Sequence, residues 1–407
     1  MKTLQTDLPL AGIRVLDFST TIAGPSATRH MADFGAEVIK VESSVHPDTA
    51  RIGSPYRDGI AGPNRSGYFS AYNAGKLSIT LNLQIRESID LVRRLVQVSD
   101  LLVEAFTPGV MARRGMSYER VRAWNPRIIM ASHSLQGQTG PHAGHRGYGQ
   151  LASALTGWFD LTGLPDEDPV GPFSAYTDFI AWPVLLSSIL LALELRDSTG
   201  EGQYIDHSHV DSSAYFAAPE LFAAQLGSPP RRDGNHEQYA CPNNAYRCAG
   251  DDRWCAITVQ GDDEWRLLCS LLEAAELASD PRFASHDARK AHEATLDDLL
   301  SQRTAAWDAF ELAERLTAQG IAAGAVYRAE DLFADPQLRH RRGFRQLTHA
   351  EHGSHHVAAP AFSLRGVDSG PHRAFPSLGE HTLSICRYLL GLSDDELATY
   401  AVAGVFE

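Results

Sequence analysis

Cysteine is scarce in this chain. The five residues, Cys241, Cys248, Cys255, Cys269 and Cys386, are odd in number and contain no Cys-x-x-Cys pair. That pattern argues against a disulfide framework or a cysteine-rich zinc site and points to a reducing, cytoplasmic setting. Positive charge is also in short supply, with 36 Lys and Arg against 50 Asp and Glu and a net charge of -14. A broad nucleic-acid or acidic-membrane surface needs a dense basic face, so both partners are excluded, while a local basic pocket stays open. The longest apolar run, Phe179 to Leu193, is 15 residues interrupted by Pro183. It falls short of the ~20 needed to span a bilayer and reads as a buried helix. Met1 to Leu10 is polar, carries Asp7 and Pro9, and has neither the apolar core of a signal peptide nor a transit-peptide bias. No Gly-x-Gly-x-x-Gly follows the first strand, so a nicotinamide enzyme has no support, and repeats and low-complexity tracts are absent.

What is present is an alternation of short apolar runs and helical stretches. Val15 to Phe18 reads as a strand, Gly24-Pro25 as a turn, Ser26 to Phe34 as a helix ending at Gly35, and Val38 to Val41 as a second strand. Strand Leu77 to Leu83, helix Glu87 to Val98 and strands Leu101 to Val103 and Arg127 to Met130 continue the pattern. Strands separated by helices imply an α/β fold with a doubly wound, Rossmann-like parallel sheet. A long helix over Thr177 to Leu195 leads to a glycine turn, strand Gln203 to Asp206 and a helix over Asp211 to Leu226. Ser228 to Gly234 looks like a linker into a smaller α/β domain with strand Trp254 to Val259 and helices Glu264 to Leu277, Leu296 to Arg303 and Ala309 to Ala318. The chain then becomes loop-rich, with a hairpin around His352-Gly353-Ser354 and a closing helix Thr382 to Leu392. The expected division is a large domain from residues 1–225 and 330–407 and a small one from 226–329.

Asp178 is the most informative carboxylate. It stands at the start of the long apolar helix, where the macrodipole and free backbone N–H groups favour its charged form. One reading is an N-cap that only stabilises the helix. The other is a nucleophile, since an ionised carboxylate attacks an activated carbonyl without a general base and apolar neighbours exclude water.

An opening stretch and four later motifs bear on that choice. Leu10 to Phe18, Ala23-Gly24-Pro25 and Asp33 to Glu42 closely resemble the opening of the class III CoA-transferases, the CaiB/BaiF family. Matches continue in family order through Asp100 to Glu104 with Pro108-Gly109-Val110, Gly137 to Pro141, Arg196 to Gln203 and Leu378 to Thr382. The resemblance implies an acyl-CoA:carboxylate CoA-transferase whose catalytic Asp is Asp178. It attacks the thioester to form an aspartyl acyl anhydride, then an enzyme-bound CoA thioester, from which an acceptor acid takes the CoA. It also implies a CoA site drawn from Ile22, Ala23, Lys76, Phe106, Arg113, Arg146 and Tyr148, no tightly bound cofactor, and an interlocked homodimer, with a heteromer of homologous subunits as the variant. For each Lys or Arg the alternative is a solvated surface charge. Ala23-Gly24-Pro25 either lets the pantetheine approach closely or is simply a tight turn.

The sequence departs from the family pattern in places. Ala105 replaces the Asn of Val-Glu-Asn-Phe, Pro47 replaces a Gly, and Gly234 to Gln238 stands where the formyl-CoA transferase branch has a glycine run. Ile22 replaces that branch's Gln, which disfavours an oxalate or formate specialist and suits a less polar acyl group. The competing activity is α-methylacyl-CoA racemisation, whose Gly-His-Asp triplet reads Gly147-Tyr148-Gly149 here. A phenol with pKa near 10 is a poor proton shuttle at neutral pH, so Tyr148 favours transfer, while His145 keeps the racemase open. A catalytically silent CoA-binding subunit is the third reading. Two histidine groups, His207 with His209 and His349, His352, His355 and His356, lack a third fixed ligand and are expected to be surface or turn residues without a metal.

Overall fold

The computed structural model describes residues 8–407, so the part of the N-terminal reading that covers Met1 to Asp7 lies outside the described residues. The chain divides into two compact units. The larger comprises the chain up to Asp160 with Val170–Pro230 and Gln337–Glu407, and the smaller comprises Leu161–Pro169 and Arg231–Pro336. The expected breaks at 225 and 330 thus stand at 230 and 336, and residues 161–169 join the smaller unit, a return excursion with no composition signal.

In the larger unit the chain runs β1 (Arg14–Phe18), α1 (Ala23–Asp33), β2 (Glu37–Glu42), α2 (Gly67–Asn73), β3 (Leu77–Thr80), α3 (Arg86–Gln97) and β4 (Leu101–Glu104). It continues through α4 (Val110–Arg113), α5 (Tyr118–Trp124), β5 (Ile129–Ser134), α6 (Gly149–Leu155), α7 (Trp158–Leu161), α8 (Tyr176–Thr199), β6 (Tyr204–Ser208), α9 (His209–Phe216) and α10 (Ala218–Gln225). Six parallel strands lie in the order β3-β2-β1-β4-β5-β6. Because side chains alternate along a strand, Leu16, Ile39 and Leu102 pack on Leu91 and Leu95 of α3, while Val15, Val38 and Val103 pack on Ala27 of α1 and Leu185 and Ile189 of α8. The strand order reverses between β1 and β4: the connections run outward to β2 on one side and to β5 on the other. That makes the C-terminal ends of these two strands the switch point where open α/β sheets leave a crevice.

Several local readings are corrected. Gly24-Pro25 is not a turn but the first turn of α1, where proline's missing N–H costs nothing. Gly24 is needed there, since a Cβ would stand 2.3 Å from that of Ser19. The helix expected over Asp211 to Leu226 is broken at Ala217 into α9 and α10. Helix α8 is 24 residues, with a mean hydropathy of 1.7 over its most apolar stretch, long and apolar enough by those measures to cross a membrane, contrary to the shorter run expected. Its inner face is committed to the sheet, where Leu185, Ile189 and Leu193 are buried.

The smaller unit holds an antiparallel sheet of β7 (Asn243–Arg247), β8 (Trp254–Thr258) and β9 (Ala322–Ala325), with helices packed around buried Trp265, Phe283 and Leu312. Back in the larger unit, β10 (Phe344–His349) and β11 (Gly353–Ala358) form the hairpin, with Gly353 at φ 72° in the turn. Of its histidines, expected at the surface or in a turn, His356 is exposed, His355 is half-buried and His352 lies in the turn, but His349 and His352 are buried, and His349 stacks on Phe375 at 4.1 Å. Helix Asp394–Val402 closes the chain, beyond the helix expected at Thr382 to Leu392.

Candidate active site

Two neighbouring cavities flank Thr20 at the switch point. One, about 110 Å³, is lined by Phe18, Lys40, Ser43, His46, Phe106 and Arg114 among others. The second, about 90 Å³, is lined by Thr20, Thr21, Ala23, Ala105, His133, Ser134, Tyr148, Gly149, Asp178 and His209, with Leu135 and Gly147. Both touch the residues that follow β1 and β4.

Asp178 is the third residue of α8, three positions past the Ala175 N-cap, so it is not itself the cap. It is 7% exposed. The N–H groups of Ala23 and Gly149 donate to its carboxylate, from the start of α1 and the start of α6. Burial outweighs both and raises its pKa to about 7, the reverse of the expectation that its position favours the charged form. No Lys or Arg lies within ion-pair distance of it among the described residues. Gly149 is fixed by this approach, because a Cβ there would lie 1.9 Å from Asp178 Oδ2. An Asp at that position, as in the racemase triplet, has no room beside this carboxylate.

The backbone donors are held in turn. Thr177 Oγ1 donates to Gly149 O at 2.7 Å and accepts from His209 Nε2 at 3.0 Å. The Ser19–Ile22 segment is strapped from below by two buried carboxylates. Asp17 accepts from Ser19 N (2.9 Å), Ser19 Oγ, Thr28 Oγ1 (2.8 Å) and Lys76 Nζ (2.8 Å). Asp48, paired with Lys40 at 2.9 Å, accepts from Thr21 N at 3.0 Å and thereby holds Thr21 at φ 72°. Burial opposes the Asp17 charge, but the Lys76 and Lys40 ammonium groups prevail and hold its pKa below the carboxylate range.

The structure brings together Asp178, Ala23 and Tyr148 in one cavity and Phe106 in the next. It removes Lys76 from the set: its ammonium is fully buried and bound by Asp17, Asn73 Oδ1 and Pro25 O, leaving nothing to offer a phosphate. Ile22 is also corrected, being 1% exposed and absent from both linings. Arg113 is exposed and lies outside both cavities, whereas Arg114, 5.9 Å over the Phe106 ring, lines the first. Arg146 and His145 are exposed and line neither. Sequence reasoning missed Thr20, Thr21, His133 and Arg114; a run of two threonines between a strand and Ala-Gly-Pro was the available signal for the first two. His207 and His209, expected near the surface, are buried. No group of three or more His, Cys, Asp or Glu among the described residues is disposed to hold a metal ion.

Residues 10–382 match the sequence model of CoA-transferase family III. The chain belongs to that family. It is 35% identical over 382 residues to the succinate–glutarate CoA-transferase of Agrobacterium fabrum, covering 93% of this chain and 94% of that one. It is 33% identical over 391 residues to the succinyl-CoA–D-citramalate CoA-transferase of Chloroflexus aurantiacus, covering 96% of each. Among solved structures, a CaiB/BaiF family protein from Brucella suis superposes with a TM-score of 0.87 at 32% identity, covering 94% of this chain and 99% of that one. A family III CoA-transferase takes a CoA thioester as substrate, a chemistry that fold alone did not supply.

Proposed function

We propose that this CoA-transferase moves CoA from an acyl-CoA donor to a carboxylic acid acceptor through covalent intermediates on Asp178. The carrying observation is a buried carboxylate, without a cation among the described residues, beside a crevice at the switch point and gripped by two backbone N–H groups. The Asp178 oxygen attacks the thioester carbonyl, the C–S bond breaks, and CoA thiolate leaves an aspartyl acyl anhydride. The thiolate returns to the aspartyl carbonyl and expels the donor acid, giving an aspartyl-CoA thioester. The acceptor carboxylate then attacks that same carbonyl and expels CoA thiolate. Thiolate attack on the acyl side of the new anhydride yields the new acyl-CoA and restores the Asp178 carboxylate. In the second and third steps the N–H groups of Ala23 and Gly149 are positioned to hold the oxyanion on the aspartyl carbonyl.

Relatives named for succinyl-CoA with glutarate and with citramalate support short dicarboxylic acids as donor and acceptor. The CoA would pass the Phe106 and Arg114 cavity, with Tyr148 at the mouth, 66% exposed. Exposed apolar side chains on α8 to α10, including Leu191, Phe216 and Phe222, support a homodimer, and five free buried cysteines support a cytoplasmic setting. A heteromer is the variant, since a relative is named as a β subunit. The racemase reading is disfavoured by the absence of space at Gly149. Incubation with succinyl-CoA and hydroxylamine followed by peptide mass spectrometry tests the proposal: a hydroxamate on Asp178 is expected, and deuterium wash-in at the α-carbon without CoA exchange would replace it with the racemase.

A further inference from the structure

Three buried histidines, His133, His207 and His209, meet where β5, β6 and α9 come together, and the acyl-transfer steps use none of them. Their protons can be assigned from their partners. The single proton of the Ser212 hydroxyl goes to Ser208 O at 2.9 Å, because a carbonyl only accepts. The 3.1 Å contact between His207 Nε2 and Ser212 Oγ therefore needs a proton on His207 Nε2. With burial holding the His207 pKa at about 4, its Nδ1 is then a bare acceptor at neutral pH. His133 Nδ1, 2.8 Å from that nitrogen, must be the donor. Burial and the two neighbouring imidazoles hold His133 neutral, so its remaining nitrogen, Nε2, carries a lone pair and no proton. No donor among the described residues reaches Nε2, although the ring is only 7% exposed and borders the cavity that holds Asp178.

We infer that His133 Nε2 is a specificity element that accepts a hydrogen bond from a hydroxyl on the acyl group, so that the site prefers hydroxy acids over analogues lacking that hydroxyl. The inference rests on acyl transfer at Asp178. An acceptor-only nitrogen repels a carboxylate oxygen and gains nothing from a methylene, whereas an O–H satisfies it; an unmet buried acceptor is what a site built for hydroxyl recognition uses to discriminate. Thr20, Thr21 and Ser134 in the same cavity carry hydroxyls that either donate or accept, so they do not impose this choice.

The test measures kcat/KM for succinyl-CoA-dependent transfer to malate and, by isotope exchange, to succinate, alongside hydroxylamine trapping of Asp178. The wild type should favour malate by about tenfold, the low end for an unmet acceptor that water partly satisfies. His133→Phe should bring the ratio to about one, and His133→Gln, which retains an acceptor and a donor for His207, should keep part of it. A wild-type ratio near one, or a ratio unchanged in His133→Phe, overturns the inference. The wild-type ratio decides even if the Phe variant does not fold. Loss of Asp178 trapping would instead overturn the acyl-transfer reading, independently of the ratio.

Discussion

Two buried carboxylates, Asp17 and Asp178, hold the two ends of the Ser19–Ala23 segment and differ in one respect. Asp17 is surrounded by donors and cations, is held ionised, and fixes the loop. Among the described residues Asp178 is held by two backbone donors, and burial raises its pKa to about 7. Full compensation makes a buried charge structural, and incomplete compensation leaves it reactive. A substrate carbonyl that draws off the Asp178 charge relieves the very deficit that burial created.

The sharpest break in this comparison is chemical. Asp178→Ala should abolish CoA transfer while the circular dichroism spectrum and CoA binding persist, whereas no single cation near the site should match that loss. Next, Lys76→Met should lower stability in urea by about 3–5 kcal/mol, because it strands the Asp17 charge in the interior. Its Kd for CoA, measured on the fraction that remains folded, should be unchanged; a selective loss of CoA affinity would restore Lys76 to the binding site. Gly149→Ala should lower kcat by about 10²-fold with a small change in KM, since the added Cβ displaces Asp178 Oδ2 from its donors.

The comparison also has a pH signature. A folded-state pKa of about 7 against an ordinary 3.8 means that the folded protein binds the proton more tightly at Asp178. The stability this contributes is complete below about pH 4 and is lost as pH rises through about 7. Asp178→Asn should therefore stabilise the protein at pH 8 by something of the order of 3 kcal/mol, with the gain vanishing toward pH 4. Turnover by the wild type should run the other way, rising with pH through about 7 as the nucleophile ionises. The smallest effect expected is at Arg114→Ala, a few-fold rise in the KM for acyl-CoA, with Arg113→Ala silent.

How much of this was legible in the sequence follows the same division between local and tertiary causes. The alternation of Val15 to Phe18, Val38 to Val41 and Leu101 to Val103 with amphipathic helices foretold the parallel sheet, because each run carries its own periodicity. Asp178 was visible from its place at the head of an apolar helix, but the sign of its pKa shift was not, since the lid of backbone over it comes from residues 23 and 149. Lys76 misled because lysine is nearly always exposed, and its partner Asp17 is 59 residues away. Arg113 ends a four-residue helix and Arg114 is its C-cap, and only the second lines the cavity, a distinction below the precision of a motif. His133, His207 and His209 come from three elements, and no spacing joins 133 to 207.

If Asp178 carries the acyl group and then the CoA, a particular oxygen transfer follows. In each cycle one carboxylate oxygen of the acceptor should remain on Asp178 when the new acyl-CoA leaves. A single turnover of the enzyme preloaded with succinyl-CoA, using ¹⁸O-labelled acceptor acid and ending in proteolysis and mass spectrometry, measures it directly. Label on the Asp178 peptide is the predicted result. Label confined to the acyl-CoA product, with none on Asp178, would contradict the account.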